Sequence, residues 1–352
     1  MLEQAGPMTA LLPSRRGFLQ QASSALLALG GGLRPAAAES PATQVFYDPA
    51  TLRHEPGGDH PESPKRLVAV MDSLRTFERQ GRLSVIAPRP ATEDQILLVH
   101  TPQYVDKVRA EVAAGRRTLS TGDTELSAGS FTAALAAAGT VVSAVDAVAN
   151  GPVRHAFCAL RPPGHHASQS RGMGFCVFNN IAIGARHARQ RHGIERILIA
   201  DWDVHHGNGT QDVFWSDGSV LFFDTHLYPW YPGTGSADET GAGKGKGLII
   251  NRPFPAGSGR KEILGVFRDV LVPAAERFKP QLVMTSAGFD SRTGDPLGQF
   301  TLTDEDFANL TDVVVEIARQ HAGGRLVSVL EGGYALDGLP RAVGAHLARL
   351  TA

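Results

Sequence analysis

The sequence predicts an α/β fold, a three-layer sandwich whose central sheet is mainly parallel. Short runs of nearly continuous apolar and β-branched residues recur along the chain, which is typical of strands buried on both faces of a parallel sheet. Longer stretches with helical spacing of apolar residues separate these runs, so strands and helices alternate as in βαβ units. No linker rich in Pro, Gly or Ser interrupts the pattern, and we therefore expect one domain over residues 39–352.

Five strands are predicted, and each is followed by polar residues. The strands are HAFCAL (155–160), RILIA (196–200), SVLFFD (219–224), QLVMTSA (281–287) and RLVSVL (325–330). The predicted helices cover residues 130–150, 178–193, 261–278 and 304–322. The segments after the strands begin RPPGHH, DWDVHHGN, THLYPWY, GFDSRTGDPLG and EGGY. Since the ligand site of an open α/β sheet lies beyond the carboxyl ends of its strands, these segments predict one shared site.

Composition excludes several classes of protein. The 352 residues include 34 basic and 35 acidic side chains, for a formal charge of −1, and no basic patch stands out. Nucleic-acid binding is therefore not expected. Only two cysteines occur, Cys158 and Cys176, which are too few for a disulfide scaffold and lack the spacing of a cysteine zinc site.

Residues 1–38 have the layout of an export signal. Arg15 and Arg16 precede an apolar stretch over residues 22–33, and an A-x-A cleavage site follows. The order SRRGFL resembles a twin-arginine signal, so we expect a periplasmic or secreted protein. The apolar stretch is shorter than the roughly 20 residues that span a bilayer, which argues against stable membrane insertion. A frayed N-terminal extension or an uncleaved anchor is the alternative.

The segment DWDVHH predicts half of a metal site. At strand periodicity, Asp201, Asp203 and His205 share one side, and the apolar residues between them share the other. Asp203 and His205 are placed to bind one cation, with Asp290 approaching from a neighbouring strand end. Such a set leaves positions open for water and substrate, as a catalytic divalent metal requires. The alternative is a buried, salt-bridged cluster without metal.

Three further side chains are candidates for acid–base chemistry. His165 and His166 follow two prolines in a stiff turn, and adjacent histidines beside a metal suit general acid–base catalysis. Tyr334 follows two glycines, and its hydroxyl is a neutral donor for a developing oxyanion. The other histidines considered are interpreted as surface or packing residues; these are His54, His187, His192 and His321.

Several motifs together resemble one known family. RPPGHH, GMGFCVFNN, DWDVHHGNGTQ, SAGFD, GDPLG and LEGGY occur in this order, after DHPESPKRL at residues 59–67. They resemble the zinc-dependent histone deacetylase and acetylpolyamine amidohydrolase superfamily, from about residue 45 to the C-terminus. The resemblance implies an arginase-like or deacetylase-like α/β fold and hydrolysis of an N-acetyl amide with release of acetate.

The resemblance implies two cation sites. The Zn²⁺ ligands would be Asp203, His205 and Asp290. Asp201 would stand behind His165 and help hold a structural K⁺, together with backbone carbonyls of Asp203, His205 and Thr225. Asp224 occupies a position where serine is common, which leaves the composition of the potassium site open.

The resemblance also assigns catalytic roles. His166 would act as general base and then protonate the leaving amine, while His165 would orient water and stabilise charge. Tyr334 would donate to the carbonyl oxygen as it becomes an oxyanion. Asn208, behind His166, stands where class I deacetylases have aspartate, and so resembles the class II and bacterial relatives.

The substrate-binding residues are likewise implied by resemblance. Phe175 and Tyr231 would form the aromatic walls of a narrow tunnel for an aliphatic amine, with Gly174 at the same level. Asp123 would be an acid at the rim. Leu297 replaces the gatekeeper glutamate of a polyamine-selective relative, which weakens an acetylpolyamine preference.

The sequence thus predicts a zinc-dependent deacetylase acting on small-molecule or peptide N-acetylated amines, lysine-like or otherwise aliphatic. An acetylpolyamine amidohydrolase is the alternative. A non-catalytic acyl-amine binding protein fits less well, because His165, His166 and Tyr334 are all intact. A manganese ureohydrolase of the arginase type also fits less well, because it normally needs a two-metal cluster with more aspartates and would leave Tyr334 without a role. Export would favour free acetylated amines or exogenous peptides over histones. The oligomeric state is left open.

Overall fold

The computed structural model describes residues 43–352. The predicted export signal, with Arg15 and Arg16, lies outside the described residues. The strands within this range are β1 (Thr43–Phe46), β2 (Ser84–Ile86), β3 (His155–Cys158), β4 (Ile197–Asp201), β5 (Val220–Leu227), β6 (Ile249–Phe254), β7 (Leu282–Ala287) and β8 (Leu326–Leu330). They form one sheet in the order β2-β1-β3-β8-β7-β4-β5-β6, and every neighbouring pair is parallel.

Helices cover both faces of the sheet. They are α1 (Pro64–Arg79), α2 (Glu93–Ile96), α3 (Pro102–Ala113), α4 (Ser130–Asn150), α5 (Asn180–His192), α6 (Asn208–Phe214), α7 (Arg260–Val266), α8 (Val272–Phe278), α9 (Asp304–His321) and α10 (Leu339–Leu350). Short 3₁₀ segments occupy Pro49–Arg53 and Gly243–Gly245.

Successive residues of a strand enter two separate apolar cores. In β4, Ile197 and Ile199 pack with residues of α4 and α5 on one face. Leu198 and Ala200 pack with residues of α9 and α10 on the other. A strand that feeds two cores needs apolar side chains at every position, which explains the continuous apolar runs in the sequence. The predicted three-layer α/β sandwich is confirmed.

Helix α4 coincides with the predicted helix at residues 130–150. It is long and apolar enough to cross a membrane by length and composition, but 67% of its apolar window is buried inside the protein. Its alanines pack against the sheet on one side and against α5 on the other. We therefore assign it to the core of the fold.

The predicted helix at 261–278 is interrupted. Helix α7 ends at Val266, a π-helical segment spans Phe267–Leu271, and α8 begins at Val272 with Pro273 in its first turn. Proline has no N–H to donate, and its ring clashes with the carbonyl four residues earlier. The wider π turn before Pro273 accommodates that clash, so the helical path continues with one irregular turn.

The five strands predicted from sequence are neighbours in the sheet, in the order β3-β8-β7-β4-β5. Because all of them run in the same direction, their carboxyl ends lie at one edge. The polar segments that follow them therefore meet there, as expected for an open α/β sheet.

Candidate active site

Asp203, His205 and Asp290 meet at this edge. His205 Nδ1 lies 3.1 Å from Asp203 Oδ1 and 3.2 Å from Asp290 Oδ2. Possible ligand atoms of the three residues all lie within 4.8 Å of one another. The strand periodicity expected over 201–205 is wrong in detail, since β4 ends at Asp201 and the following residues form a bend. The bend turns both Asp203 and His205 towards Asp290, which follows the adjacent strand β7.

The electrostatics of this triad favour a cation. Burial by itself would lower the pKa of His205, yet hydrogen bonds to Asp203 and Asp290 raise it to about 10. Burial and the nearby charge of Asp203 raise the pKa of Asp290 to about 7. The Oδ2 atom of Asp290 is buried without a well-aligned hydrogen-bond donor. Asp203 and Asp290 thus stabilise positive charge between them, and Asp290 Oδ2 remains available as a ligand atom. This arrangement fits a divalent metal.

Backbone packing leaves the triad little freedom. A Cβ atom at Gly332 would lie 2.1 Å from Asp290 Oδ2 and 2.6 Å from Asp203 Oδ2. At Gly288 it would lie 2.2 Å from Asp203 Oδ2. The backbone N–H of Gly332 donates to Asp203 Oδ2 at 2.8 Å. Both glycines are required because the chain passes directly over the two carboxylates.

The two histidines have different partners. His165 Nδ1 lies 3.0 Å from Asp201 Oδ2, and His166 Nδ1 lies 2.8 Å from Asn208 Oδ1. Their rings are 4.0 Å apart. An amide oxygen only accepts, so the proton of neutral His166 is on Nδ1 and its Nε2 lone pair is free. This geometry brings together four of the five predicted catalytic residues, namely His165, His166, Asp201 and Asn208.

Their environments drive the pKa values of the pair in opposite directions. Burial would lower the pKa of His165, but Asp203 and Asp201 raise it well above its ordinary value. Burial and the charges of His165 and His205 lower the pKa of His166 well below its ordinary value. The surroundings therefore favour the charged form of His165 and the neutral form of His166, which is the division of roles that acid–base chemistry needs.

Tyr334 lies beside Phe175, with their ring centres 5.8 Å apart. Burial raises its pKa well above the ordinary value, against the opposing effect of Arg66, whose guanidinium carbon is 4.7 Å from the ring centre. Its hydroxyl is therefore a neutral donor. Asp295 holds the backbone of this segment, since its Oδ2 accepts from the N–H of Tyr334 at 2.6 Å and of Ala335 at 3.1 Å.

A narrow cavity of about 250 Å³ leads to these groups. It is lined by Asp123, His166, Gly174, Phe175, His205, Trp230, Tyr231, Leu297 and Tyr334. All five residues expected to bind substrate thus line it. Trp230 was not predicted; its indole N–H donates to the carbonyl of Leu297 at 3.2 Å.

The wall at Gly174 and Phe175 has an unusual backbone. Both residues have positive φ, 57° and 66°, which a non-glycine residue such as Phe175 rarely adopts. A Cβ at Gly174 would lie 2.2 Å from His166 Cδ2. Asp123 Oδ1 accepts from the Gly174 N–H at 2.7 Å and lies 3.3 Å from the Tyr231 hydroxyl. Asp123 therefore holds both walls of the cavity in place.

Sequence reasoning missed Glu331, which supports the histidine turn. Its Oε2 accepts from the N–H groups of Gly164 at 2.7 Å and His165 at 3.2 Å. Burial raises its pKa to about 7. The motif LEGGY contains this glutamate, but a carboxylate that bonds to a distant backbone segment leaves no periodic signal in the sequence.

Asp224, at the other cation site implied by resemblance, is already paired. Its Oδ2 accepts from the N–H of Gly207 at 2.8 Å, and its Oδ1 lies 2.7 Å from His226 Nδ1. Asp224 is the register partner of Asp201 across β4 and β5. Two buried carboxylates thus stand side by side behind the histidine pair.

A family profile for the histone deacetylase domain matches residues 60–350. The chain belongs to the histone deacetylase family. A structure of the HDA15 HD domain matches with a TM-score of 0.84 and 37% identity, covering 88% of this chain and 90% of that one. The predicted family and deacetylase fold are therefore confirmed.

Named relatives agree on deacetylase activity. An Archaeoglobus fulgidus protein named "Probable deacetylase" is 41% identical, with 84% of this chain and 82% of the relative covered. The Pseudomonas aeruginosa "Histone deacetylase-like amidohydrolase" is 37% identical, with 81% of this chain and 74% of the relative covered. The human "Polyamine deacetylase HDAC10" is 42% identical over 80% of this chain, which spans 43% of that relative. The chain is a hydrolase of the deacetylase family.

Proposed function

We propose that this enzyme uses Zn²⁺ to hydrolyse the N-acetyl amide of lysine-like or other aliphatic amines. One observation carries the proposal: Asp203, His205 and Asp290 converge beside a narrow cavity that His205, His166 and Tyr334 line. The surroundings raise the pKa values of His165 and Tyr334 and lower that of His166. No simple binding role requires this opposite tuning of two adjacent histidines.

The three ligands fit a divalent cation, which supplies Lewis acidity to an amide carbonyl and to a water when bound. The Nε2 atom of His166 is free to take a proton from the attacking water and to deliver it to the leaving amine. His165, held as a cation between Asp201 and Asp203, stabilises the negative charge that develops. The Tyr334 hydroxyl donates to the carbonyl oxygen as it gains charge.

The cavity walls support an aliphatic amine as leaving group. Phe175 and Tyr231 present aromatic side chains to the cavity, and the absence of a side chain at Gly174 makes room for the His166 ring. Leu297 at the mouth carries no charge, so this position does not attract a second ammonium on the substrate. Asp123 is the acid at the rim, although its Oδ1 is already engaged by Gly174 and Tyr231.

Two variants test the roles of His166 as general base and of Tyr334 as donor to the oxyanion. His166→Ala removes the general base and should lower kcat about 10²–10⁴-fold. Tyr334→Phe removes one donor to the oxyanion and should lower kcat about 10²–10³-fold. Zinc content should equal that of the wild type in both, since neither residue is a ligand. His321→Ala and Tyr228→Phe are matched controls outside the cavity lining. Full activity of either active-site variant would refute the role.

An acetylpolyamine substrate is the second candidate. The name of the human relative supports it, and Leu297 argues against it. Comparing kcat/KM for acetyl-lysine peptides, acetylated polyamines and longer acyl-lysines separates the two. A clear preference for polyamines would overturn our choice of lysine-like substrates.

We also infer a structural K⁺ held by Asp201 and the backbone carbonyls of Asp203, His205 and Thr225. The support is electrostatic, because burial and the adjacent Asp224, against the opposing effect of His165, raise the pKa of Asp201 well above its ordinary value. A cation would relieve that repulsion. Thermal unfolding in K⁺ and in a large organic cation at equal ionic strength tests this; equal Tm values would contradict it.

For the N-terminus, we propose twin-arginine export to the periplasm. Arg15, Arg16 and the A-x-A site support it. Replacing both arginines with lysine should leave the protein in the cytoplasm, as measured by fractionation. Unchanged periplasmic recovery would disprove export by this route.

A further inference from the structure

A second group of histidine and aspartate lies outside the active site, between α4 and α5. Asp146 belongs to α4, and His187 and His192 belong to α5. The two histidines were interpreted from sequence as surface or packing residues. The structure instead brings both onto one carboxylate.

The three side chains converge on a small volume. His187 Nε2 and His192 Nε2 each lie 2.7 Å from Asp146 Oδ1. The imidazole planes are inclined by 77°, with ring centres 5.7 Å apart. The possible ligand atoms all lie within 4.8 Å of one another. Each imidazole is only 10% exposed, whereas the Asp146 side chain is 46% exposed. The group is thus fixed on its protein side and open to water on the other.

Local electrostatics favour a cation there. Burial opposes ionisation of Asp146, but hydrogen bonds from His187 and His192 lower its pKa overall. Asp146 lies one turn from the C-terminal end of α4, and His192 is the last residue of α5. The carbonyl ends of two helices carry partial negative charge, which a cation between them would offset. Arg189, on the same helix, pairs instead with Glu195 at 3.5 Å.

We propose that Asp146, His187 and His192 bind a second divalent transition-metal cation, such as Zn²⁺, with water completing the coordination. Two imidazoles and one carboxylate suit zinc, copper, nickel or cobalt, whereas Mg²⁺ and Ca²⁺ prefer oxygen ligands throughout.

Metal binding at this site would join α4 to α5. The N-terminal end of α5 supports the histidine turn of the active site, because Asn179 Nδ2 donates to the Ala167 carbonyl at 2.9 Å and Asn180 Nδ2 to the Pro162 carbonyl at 3.1 Å. The second cation therefore stabilises the helix that supports the catalytic turn, without contacting substrate.

Titration of metal-depleted, untagged full-length protein with Zn²⁺ tests the proposal. The wild type should bind two equivalents. His187→Gln combined with His192→Gln should bind one, retain deacetylase activity within about twofold, and lose the part of the zinc-dependent rise in Tm that the second site provides. Asp203→Asn should lose the active-site equivalent and keep the other. His321→Gln, in the last turn of α9, is the matched control and should bind two.

Asp146→Asn separates a metal site from a hydrogen-bonded cluster. Asparagine keeps an oxygen that accepts from both histidines but removes the charge, so Zn²⁺ affinity of the second site should fall at least about tenfold. One equivalent in the wild type, or unchanged second-site affinity in Asp146→Asn, would overturn the proposal.

Discussion

The floor and the mouth of the active-site cavity are built in different ways. At the floor, Asp203 and Asp290 are at most 1% exposed, and backbone N–H groups and glycines hold them. At the mouth, Trp230 is 38% and Tyr231 36% exposed. Their own side chains hold them there, through hydrogen bonds to the Leu297 carbonyl and to Asp123. One region is fixed by the fold itself, and the other by contacts that substitution can replace.

This difference separates reaction from selectivity. A substitution at the floor moves a candidate metal ligand or alters a buried charge. The energy of a buried charge depends strongly on the exact position of its partners, because the local dielectric constant is low. A substitution at the mouth alters the contacts made with the distal part of the substrate but leaves the reacting groups in place. We therefore expect effects to decrease from the floor to the mouth.

Gly332→Ala should have the largest effect. Its Cβ would overlap the carboxylate oxygens of Asp290 and Asp203, so both must move. Misplacing reacting groups by about 1 Å costs about 10²-fold, so we expect kcat/KM to fall at least about 100-fold. Zinc affinity, measured by competition with a chelator, should fall as well. Gly344→Ala in α10, where a Cβ meets nothing within 4 Å, should keep full activity. Wild-type kcat/KM in Gly332→Ala would contradict a rigid floor.

The sequence predicted the reacting groups at the floor of the cavity, but not the backbone and side-chain contacts that hold them in place. Five polar strand ends predicted one site because parallel strands place them at one edge. The local bend of Asp203 and His205 was not predicted, because it depends on the passage of Gly288 and Gly332 over the carboxylates. Glu331 accepts a hydrogen bond from Gly164, 167 residues earlier in the chain. A local sequence pattern cannot predict so distant a contact.

The elements that were missed share a physical cause. Strand β1 has four residues and β2 has three, too few to show a period. Strand β6 contains Asn251, Arg252 and Pro253, which are unfavourable for a central strand but acceptable at the edge of the sheet where β6 lies. Edge position is a property of the whole topology and therefore cannot be inferred from the segment alone.

Asn208→Asp should have an intermediate effect. The new carboxylate would face His166 Nδ1 and raise its pKa, by about one unit for a close opposite charge. His166 acts as a base only when neutral, so a raised pKa keeps it protonated to higher pH. The acid limb of the kcat/KM profile should therefore move about one unit towards higher pH, with a roughly tenfold loss on that limb. Asn309→Asp on α9 adds the same charge elsewhere and should leave the profile unchanged. A shift towards lower pH would contradict the assignment of His166 as base.

Leu297→Glu should have the smallest effect and should act only on selectivity. Leu297 lines the cavity but is not one of the three candidate metal ligands or of the groups that carry the proton transfer. An exposed carboxylate attracts a substrate ammonium by about 0.5–1 kcal/mol, so kcat/KM for an acetylated polyamine should rise about two- to fivefold relative to a neutral acetyl-lysine peptide. Leu297→Gln, similar in size but uncharged, should leave this ratio at the wild-type value. The rise should also weaken with added salt, because the mouth is open to solvent. Equal ratios for the two variants would show that shape at the mouth, and not charge, sets the preference for the amine.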